Sequence, residues 1–411
     1  MEGKRTINSI KLKNILSFGS EGQEIELQPL NVLIGPNASG KSNFIEALRL
    51  LSYLPRDFSK PISDGGGISE WLWKGEKPNP IAEIEAVFTA SQKSFQIRHY
   101  LKFTGENYFP KILAETVKTE NEDRLADEAY SYRNTDGKAT FKLPQQQSWQ
   151  PSSSVIETVS RAMIAVHQRL QHETPIATNQ SILQQRKEPQ LYPELYYLSE
   201  ILPTVRIYDD FDVRQYSQVR QGQNPAAAGD FLEPDASNLG IIFVNLPGKV
   251  KQEITTKLKD VNADAEELLA KIEGGIIRVS LQEQGLYSPT FPARLSAGTL
   301  RYLCLLLILC HPTPPPLICI EEPEIGLHPD VIHIVADLLV EASQRTQLIV
   351  TTHSDALVSA LSRHPEAIIV CERFDSGTQL KRLDPDQWKV WLEKYSLGDL
   401  WRRGDLGGTR W

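Results

Sequence analysis

Sulfur is scarce in this chain: of 411 residues, 4 are Cys and 2 are Met. Cys304, Cys310, Cys319 and Cys371 form no C-x-x-C pair, which excludes a paired-cysteine zinc site and offers no disulfide framework. Reduced core cysteines in a cytoplasmic protein are the expectation. Long apolar runs are also missing. The longest, Leu303 to Cys310, falls far short of the about 20 residues that cross a bilayer. The opening Met-Glu-Gly-Lys-Arg carries no apolar signal stretch, so no membrane contact is expected. Net basic charge is lacking too. Lys plus Arg total 44 against 52 for Asp plus Glu, a formal charge of −8, so any nucleic-acid contact must be a local patch. No heptad pattern lasts over several turns and no internal repeat is evident, which removes long coiled coils and solenoids.

What is present suits a globular protein: 40% apolar, 23% charged and 8% aromatic residues, with length for two or three structural units. Residues 7–34 alternate as strands, ending in the nearly all-apolar Asn31-Val32-Leu33-Ile34 of a strand buried on both faces. From Ser42 the spacing of Phe44, Ile45, Leu48 and Leu51 predicts a helix. Period-2 alternation returns at Ala82, Ile84, Ala86 and Phe88, then at Phe95, Ile97, Leu101 and Phe103 with His99 interrupting the apolar face, and predicts an antiparallel β-meander. Residues 105–274 are richer in Gln, Glu, Ser and Tyr and predict a mainly helical insertion, with helices at 153–172, 187–202 and 249–273 and a loop at 216–238. Strands and helices alternate again over 275–383, which predicts an α/β unit with a mainly parallel sheet. The expected division is therefore 1–104 and 275–383 for the two parts of one head, 105–274 for the insertion and 384–411 for a Trp-rich tail.

Gly35-Pro36-Asn37-Ala38-Ser39-Gly40-Lys41-Ser42 fits G-x-x-x-x-G-K-[ST], placed after a buried strand and before a helix. Such a loop turns its backbone N–H groups toward phosphate oxygens, and the helix N-terminus adds partial positive charge. Lys41 would reach the β- and γ-phosphates and Ser42 would ligate Mg²⁺. Further on, Leu317 to Ile320 runs into Glu321-Glu322-Pro323-Glu324, two adjacent carboxylates at a strand end where open α/β sheets place ligands. One can serve the metal, and the other can polarise a water. Thr351-Thr352-His353-Ser354 ends another apolar strand, so His353 can donate to a phosphate. His328 reads equally as a structural residue. Leu295-Ser296-Ala297-Gly298-Thr299 reads on its own as a helix start capped by Ser296, with Gly298 leaving the backbone accessible. Trp71 and Trp73 either stack on bases or pack under a loop. The lysines at 249, 251, 257 and 259 read as a solvated helix face, and the tail either docks a partner or folds back.

Taken in order, these motifs resemble an ABC-type ATPase head of the SMC, RecF and RecN branch, most closely the OLD-like, AAA-family ATPases of bacterial genome maintenance and phage defence. Lys11-Leu12-Lys13-Asn14-Ile15-Leu16-Ser17-Phe18 resembles that branch's opening strand, Gly35 to Ser42 its phosphate loop, Leu295 to Thr299 its signature, Leu317 to Pro329 its Walker B strand and D-loop, and Thr351 to Ser354 its switch-histidine segment. The resemblance implies ATP and Mg²⁺, with Ser42 and Glu321 at the metal, Glu322 as catalytic base and His353 as γ-phosphate sensor. It also implies a head-to-tail homodimer in which Ser296 and Gly298 of one copy close the phosphate loop of the other. DNA is an implied partner. The sequence departs from the pattern at Glu321, where the branch carries Asp, and at Leu16, where it often carries a basic residue. The Q-loop glutamine of the pattern is not fixed by the sequence, with Gln92 and Gln96 as candidates. The stretch after His353 is too short for the Toprim nuclease of full OLD proteins, so any nuclease or other effector is expected as a separate partner. A nucleotide-gated scaffold that hydrolyses ATP slowly and regulates such an effector is the alternative to an ATPase acting in DNA maintenance or defence.

Overall fold

The computed structural model describes residues 3–75, 80–90, 96–106, 108–120, 130–135, 138–141, 177, 179–189, 192–227 and 229–408. The expected helix at 153–172 and Gln92 lie outside the described residues.

Alternating residues near the N-terminus build an antiparallel sheet. β1 (Ile7–Lys13) pairs with β2 (Gln23–Glu26), and β3 (Leu30–Ile34) leaves for a second sheet ahead of α1 (Lys41–Tyr53). The chain then returns as β4 (Ala82–Thr89), β5 (Gln96–Glu106), β6 (Phe109–Glu120), β7 (Tyr130–Thr135) and β8 (Lys138–Phe141), giving the order β2-β1-β4-β5-β6-β7-β8. The predicted meander is present and continues past residue 104. Ala82, Ile84, Ala86 and Phe88 are buried, as the period-2 spacing requires. His99 interrupts that face because it has its own partner. Its Nε2 lies 2.9 Å from Glu115 Oε1 on β6, and the same carboxylate accepts from Ser181 Oγ (2.6 Å) and the Ile182 N–H (2.8 Å).

Between the two predicted halves lie α2 (Pro193–Ile201), β9 (Arg206–Tyr208), α3 (Gly248–Leu258) and β10 (Ala265–Glu273), and β11 (Ile276–Glu283) opens the second half. The helix expected over 249–273 stops at Leu258. Gly274 and Gly275, at φ 58° and 79°, form a two-residue turn that joins β10 to β11, and cross-strand pairing from Glu273–Ile276 back to Ala265–Glu283 overrides the helical spacing.

The remaining elements alternate as expected: α4 (Ala297–Leu309), β12 (Leu317–Glu321), α5 (Ile332–Ser343), β13 (Gln347–Thr351), α6 (Asp355–Ala360), β14 (Ile368–Phe374), β15 (Gly377–Arg382), α7 (Pro385–Leu392) and α8 (Leu397–Arg402). The second sheet has the order β15-β14-β3-β13-β12-β9, parallel except for β15. Every residue of β3 and β13 is buried, which is why these strands read as apolar runs rather than alternations. The tail folds back on this unit through Leu397, Leu400 and Trp401. Among the described residues no helix is long and apolar enough to cross a membrane.

One buried amide ties the two sheets together. Gln347 Oε1 accepts from the Thr6 N–H (3.0 Å) and the Ile7 N–H (2.8 Å), and its Nε2 donates to Ile7 O (2.8 Å) and Gln28 O (3.1 Å). Gln347→Ala leaves those backbone groups unpaired, so a loss of about 2–4 kcal/mol is expected in urea unfolding. A change near zero would mean the sheets are joined mainly by apolar packing.

Candidate active site

The phosphate loop takes its shape from two constraints. β3 delivers it to the C-terminal edge of the parallel sheet, and α1 carries it away with Gly40 at the N-cap, without a side-chain cap. Gly40 has φ 106°, and a Cβ there would stand 2.3 Å from Thr378 Oγ1 and 2.7 Å from Ser17 Oγ, so only glycine fits. Thr378 Oγ1 in turn donates to Ser39 O (2.9 Å) and lies 2.7 Å from Ser17 Oγ, which ties the loop to the opening-strand motif. Ser39 Oγ is buried without a partner. Lys41 is 6% exposed, and its ammonium donates to Gly35 O (2.8 Å) and Pro36 O (3.0 Å). Burial pushes its pKa down, against the opposing pull of Cys371, Glu322 and Glu321. A buried cation held only by carbonyls is electrostatically prepared for an anion.

The acidic strand end meets this loop directly. Ser42 Oγ donates to Glu321 Oε2 at 2.6 Å, joining residues 279 positions apart. Burial raises the Glu321 carboxyl pKa, and the Ser42 bond counters it. A hydroxyl and a carboxylate are the hard oxygen donors that Mg²⁺ takes, so this pair fits the expected ion. Glu321 ends β12, paired with Thr351 of β13. Glu322 does not continue the pleat. It turns into the left-handed region at φ 45°, with its N–H on Thr351 O (2.9 Å). Its Oε1 lies 3.7 Å from His353 Nε2. Burial holds the His353 pKa below its ordinary value, Lys41 lowers it further, and Glu322 opposes both. The structure thus gathers Lys41, Ser42, Glu321, Glu322 and His353 at one edge.

Ser296 and Gly298 sit elsewhere in the same chain. Ser296 Oγ caps α4 by accepting from the Thr299 N–H (3.0 Å), and a Cβ on Gly298 would lie 2.8 Å from Gly326 O. His328 is exposed and accepts from the Asp330 N–H (3.3 Å), capping the turn at Pro329–Val331. Gln96 opens β5 in the antiparallel sheet.

Several functional neighbours were not legible in the sequence. Glu324 Oε1 accepts from Thr352 Oγ1 (2.6 Å) and from the His353 N–H (3.0 Å), while its Oε2 is buried without a partner and burial raises its pKa. It was visible as the last acid of the run but had no assigned task. The strand beside β12 is β9, only three residues long, and Asp209 and Asp210 follow it directly. Asp209 binds Arg49 of α1 through both oxygens (2.6 Å each), and Asp210 binds Arg301 of α4 (2.6 Å). Trp71 and Trp73 are both buried, which supports packing under a loop; Trp73 nevertheless lines a cleft of about 300 Å³ with Leu16, Ser17, Asn43 and Arg373, whose guanidinium lies 5.8 Å from the Trp73 ring centroid.

With this geometry in view, comparison with known proteins gives the following. The family described as "AAA domain, putative AbiEii toxin, Type IV TA system" (AAA_21) matches residues 30–359. Among solved structures, an Smc head bound to the C-winged helix domain of ScpA aligns with TM-score 0.57 and 15% identity, covering 93% of this chain and 99% of its own. An Smc head domain with an extended coiled coil, bound to the C-terminal domain of ScpA and derived from Pyrococcus furiosus, aligns with TM-score 0.50 and 15% identity, covering 95% of this chain and 99% of its own. At that identity the likeness is one of fold, and it bears out the P-loop ATPase-head architecture. No curated protein matches the sequence.

Gly40→Ala should strain the loop by about 1–3 kcal/mol, or roughly five- to hundredfold in ATP affinity by calorimetry. Unchanged affinity would mean this turn is not where the phosphates lie.

Proposed function

The chain belongs to the AAA_21 family of AAA domains, and from that premise we propose that it binds and hydrolyses ATP between two copies of itself. The observation that carries this is the meeting of Ser42 and Glu321 at 2.6 Å, with Glu322, His353 and Lys41 beside them. The amides of the loop from Gly35 to Ser42 would hold the phosphates, with the Lys41 ammonium on the β- and γ-oxygens. Mg²⁺ held by Ser42 and Glu321 would neutralise phosphate charge. Glu322 Oε1 would take a proton from the attacking water, a contribution of roughly 10²–10⁴ in rate. His353, whose pKa burial and Lys41 hold below its ordinary value, would donate from its ring to the γ-phosphate. The base of ATP would enter the cleft lined by Trp73 and Arg373 beside Ser17.

The second copy enters because the signature residues are engaged within their own chain, Ser296 as the cap of α4 and Gly298 against the Gly326 turn. In a head-to-tail homodimer they would close the other copy's site. We place the activity in DNA maintenance or phage defence. The family's description as a putative toxin of a toxin–antitoxin system supports a defence setting. It equally supports the second reading, a slow ATP-gated scaffold that regulates a separate effector such as a nuclease. The Smc heads were solved with domains of ScpA bound, which supports a protein partner for this head as well.

Lys41→Ala should abolish ATP binding, and retained micromolar affinity would remove the phosphate-loop assignment. Glu322→Gln should keep binding and trap an ATP-dependent dimer in light scattering, with turnover lowered by about 10²–10⁴; unchanged turnover would remove Glu322 as the base. Ser296→Arg should spare ATP binding by the monomer and block hydrolysis, whereas full activity would argue against a shared site. Wild-type turnover stimulated by DNA favours the first reading, and an effector that co-purifies favours the second.

A further inference from the structure

The phosphate loop is touched by a segment that none of its motifs contains. α8 and the residues after it, up to Gly408, form a strap that folds back over the parallel sheet. Leu397, Leu400, Trp401 and Leu406 belong to the same buried cluster as Val32 and Ile34 of β3. Two hydrogen bonds fix the strap's far end: Trp401 Nε1 donates to Gly408 O (3.3 Å), and the Gly408 N–H donates to Glu372 Oε1 (3.0 Å). Gly408 has φ 68°, and a Cβ built on it would lie 2.9 Å from Val370 Cγ1 and 3.4 Å from the Gly35 Cα. Gly35 is crowded by β14 as well, since its own Cβ would fall 2.3 Å from Cys371 O. Gly35 O is also the acceptor that holds the Lys41 ammonium at 2.8 Å. Contacts therefore run from Glu372 and Trp401, through Gly408, to the first residue of the phosphate loop and on to its lysine.

We propose that the 397–408 strap is a positioning element of the nucleotide site, with Trp401, Glu372 and Gly408 setting where Gly35 stands and hence how tightly ATP is held. The proposal rests on the ATP-binding reading above. Its physical basis is that the loop's amides must converge on phosphate oxygens, so a small displacement of the loop's first residue changes their aim. Glu372 and Gly408 touch no reacting atom, and their effect passes through Gly35.

The test separates positioning from general stability. Four single variants of the full chain, Glu372→Ala, Glu372→Gln, Gly408→Ala and Trp401→Phe, are compared with wild type for ATP binding by calorimetry, KM and kcat for ATP, and melting temperature. Glu372→Ala, Gly408→Ala and Trp401→Phe should raise Kd and KM for ATP about three- to thirtyfold with kcat nearly unchanged. Glu372→Gln keeps a side-chain acceptor for the Gly408 N–H and should restore near wild-type affinity. Bound ATP should also slow hydrogen exchange of the amides at 404–408 in wild type. Wild-type affinity in both Glu372→Ala and Trp401→Phe overturns the proposal, as does a loss of kcat and melting temperature in parallel with affinity. If Gly408→Ala does not fold, the other variants decide. Lys41-dependent ATP binding in wild type is the control: its absence removes the ATP reading and the strap's role together, while its presence beside unaffected strap variants removes the strap alone.

Discussion

Parallel pairing of β3, β13 and β12 is the constraint on which the site depends. The register sets Thr351 opposite both Leu33 and Glu321, so three strand ends finish level at one edge. The phosphate loop leaves the first, the histidine segment the second and the acidic turn the third. In chain order the loop lies 279 positions from the acidic turn, yet a hydroxyl from one and a carboxylate from the other lie 2.6 Å apart. Side chains alternate faces along a strand. A slip of one residue between β12 and β13 would therefore turn Glu321 away from Ser42 even if both strands stayed buried.

That edge is costly for the protein to hold on its own. Burial opposes ionisation of Lys41, Glu321, Glu324 and His353 alike, so each charged form is disfavoured where it stands. Glu322 and Ala38 hold left-handed backbone at φ 45° and 64°, about 1–2 kcal/mol each. Buried oxygens of Ser39, Thr351 and Glu324 lack partners. Strain and unpaired groups of this kind persist only where surrounding packing over-determines them. Here the packing is supplied by strands with every residue buried and by a central helix, α4, whose face from Leu300 to Leu309 is almost entirely buried. A ligand that brought phosphate charge to Lys41 and metal charge to Glu321 would relieve these same penalties.

Much of this was legible in the sequence because it is local. The phosphate loop, its strand and its helix occupy one short stretch, and the spacing of Phe44, Ile45, Leu48 and Leu51 matches the buried face of α1. Glu321, Glu322 and His353 were readable because each follows an apolar run. Other features depend on partners distant in sequence. β9 has three residues and is a strand only because β12 lies beside it, so Asp209 and Asp210 could not be placed from pattern alone. The helical spacing over 249–273 yielded to a hairpin whose signal, Gly274-Gly275, was present in the sequence. Glu324 looked like one more acid in a run, and only the fold shows that it holds the Thr352 hydroxyl and the His353 amide.

The same contacts connect the two ends of the proposed reaction within one chain. Gly298, at the start of α4, packs on the carbonyl of Gly326. The Gly326 turn follows directly from Glu322 and Glu324, and Glu324 grips the histidine segment. Three residues further along α4, Arg301 binds Asp210, which leaves β9 beside the strand that carries Glu321. The start of α4 is therefore linked to Glu321, Glu322 and His353 by two sets of contacts, one through the acidic turn and one through an ion pair. Both are short, and both run through close-packed or hydrogen-bonded groups. In the proposed dimer, a partner that engages Ser296 and Gly298 from outside would bear on Glu322 and His353 of the chain it touches, as well as on the nucleotide it is proposed to close over. The strap at Gly35 meets the loop from the opposite side of β3, through β14. The edge that carries the phosphate loop is thus flanked on one side by contacts from α4 and on the other by the folded-back strap.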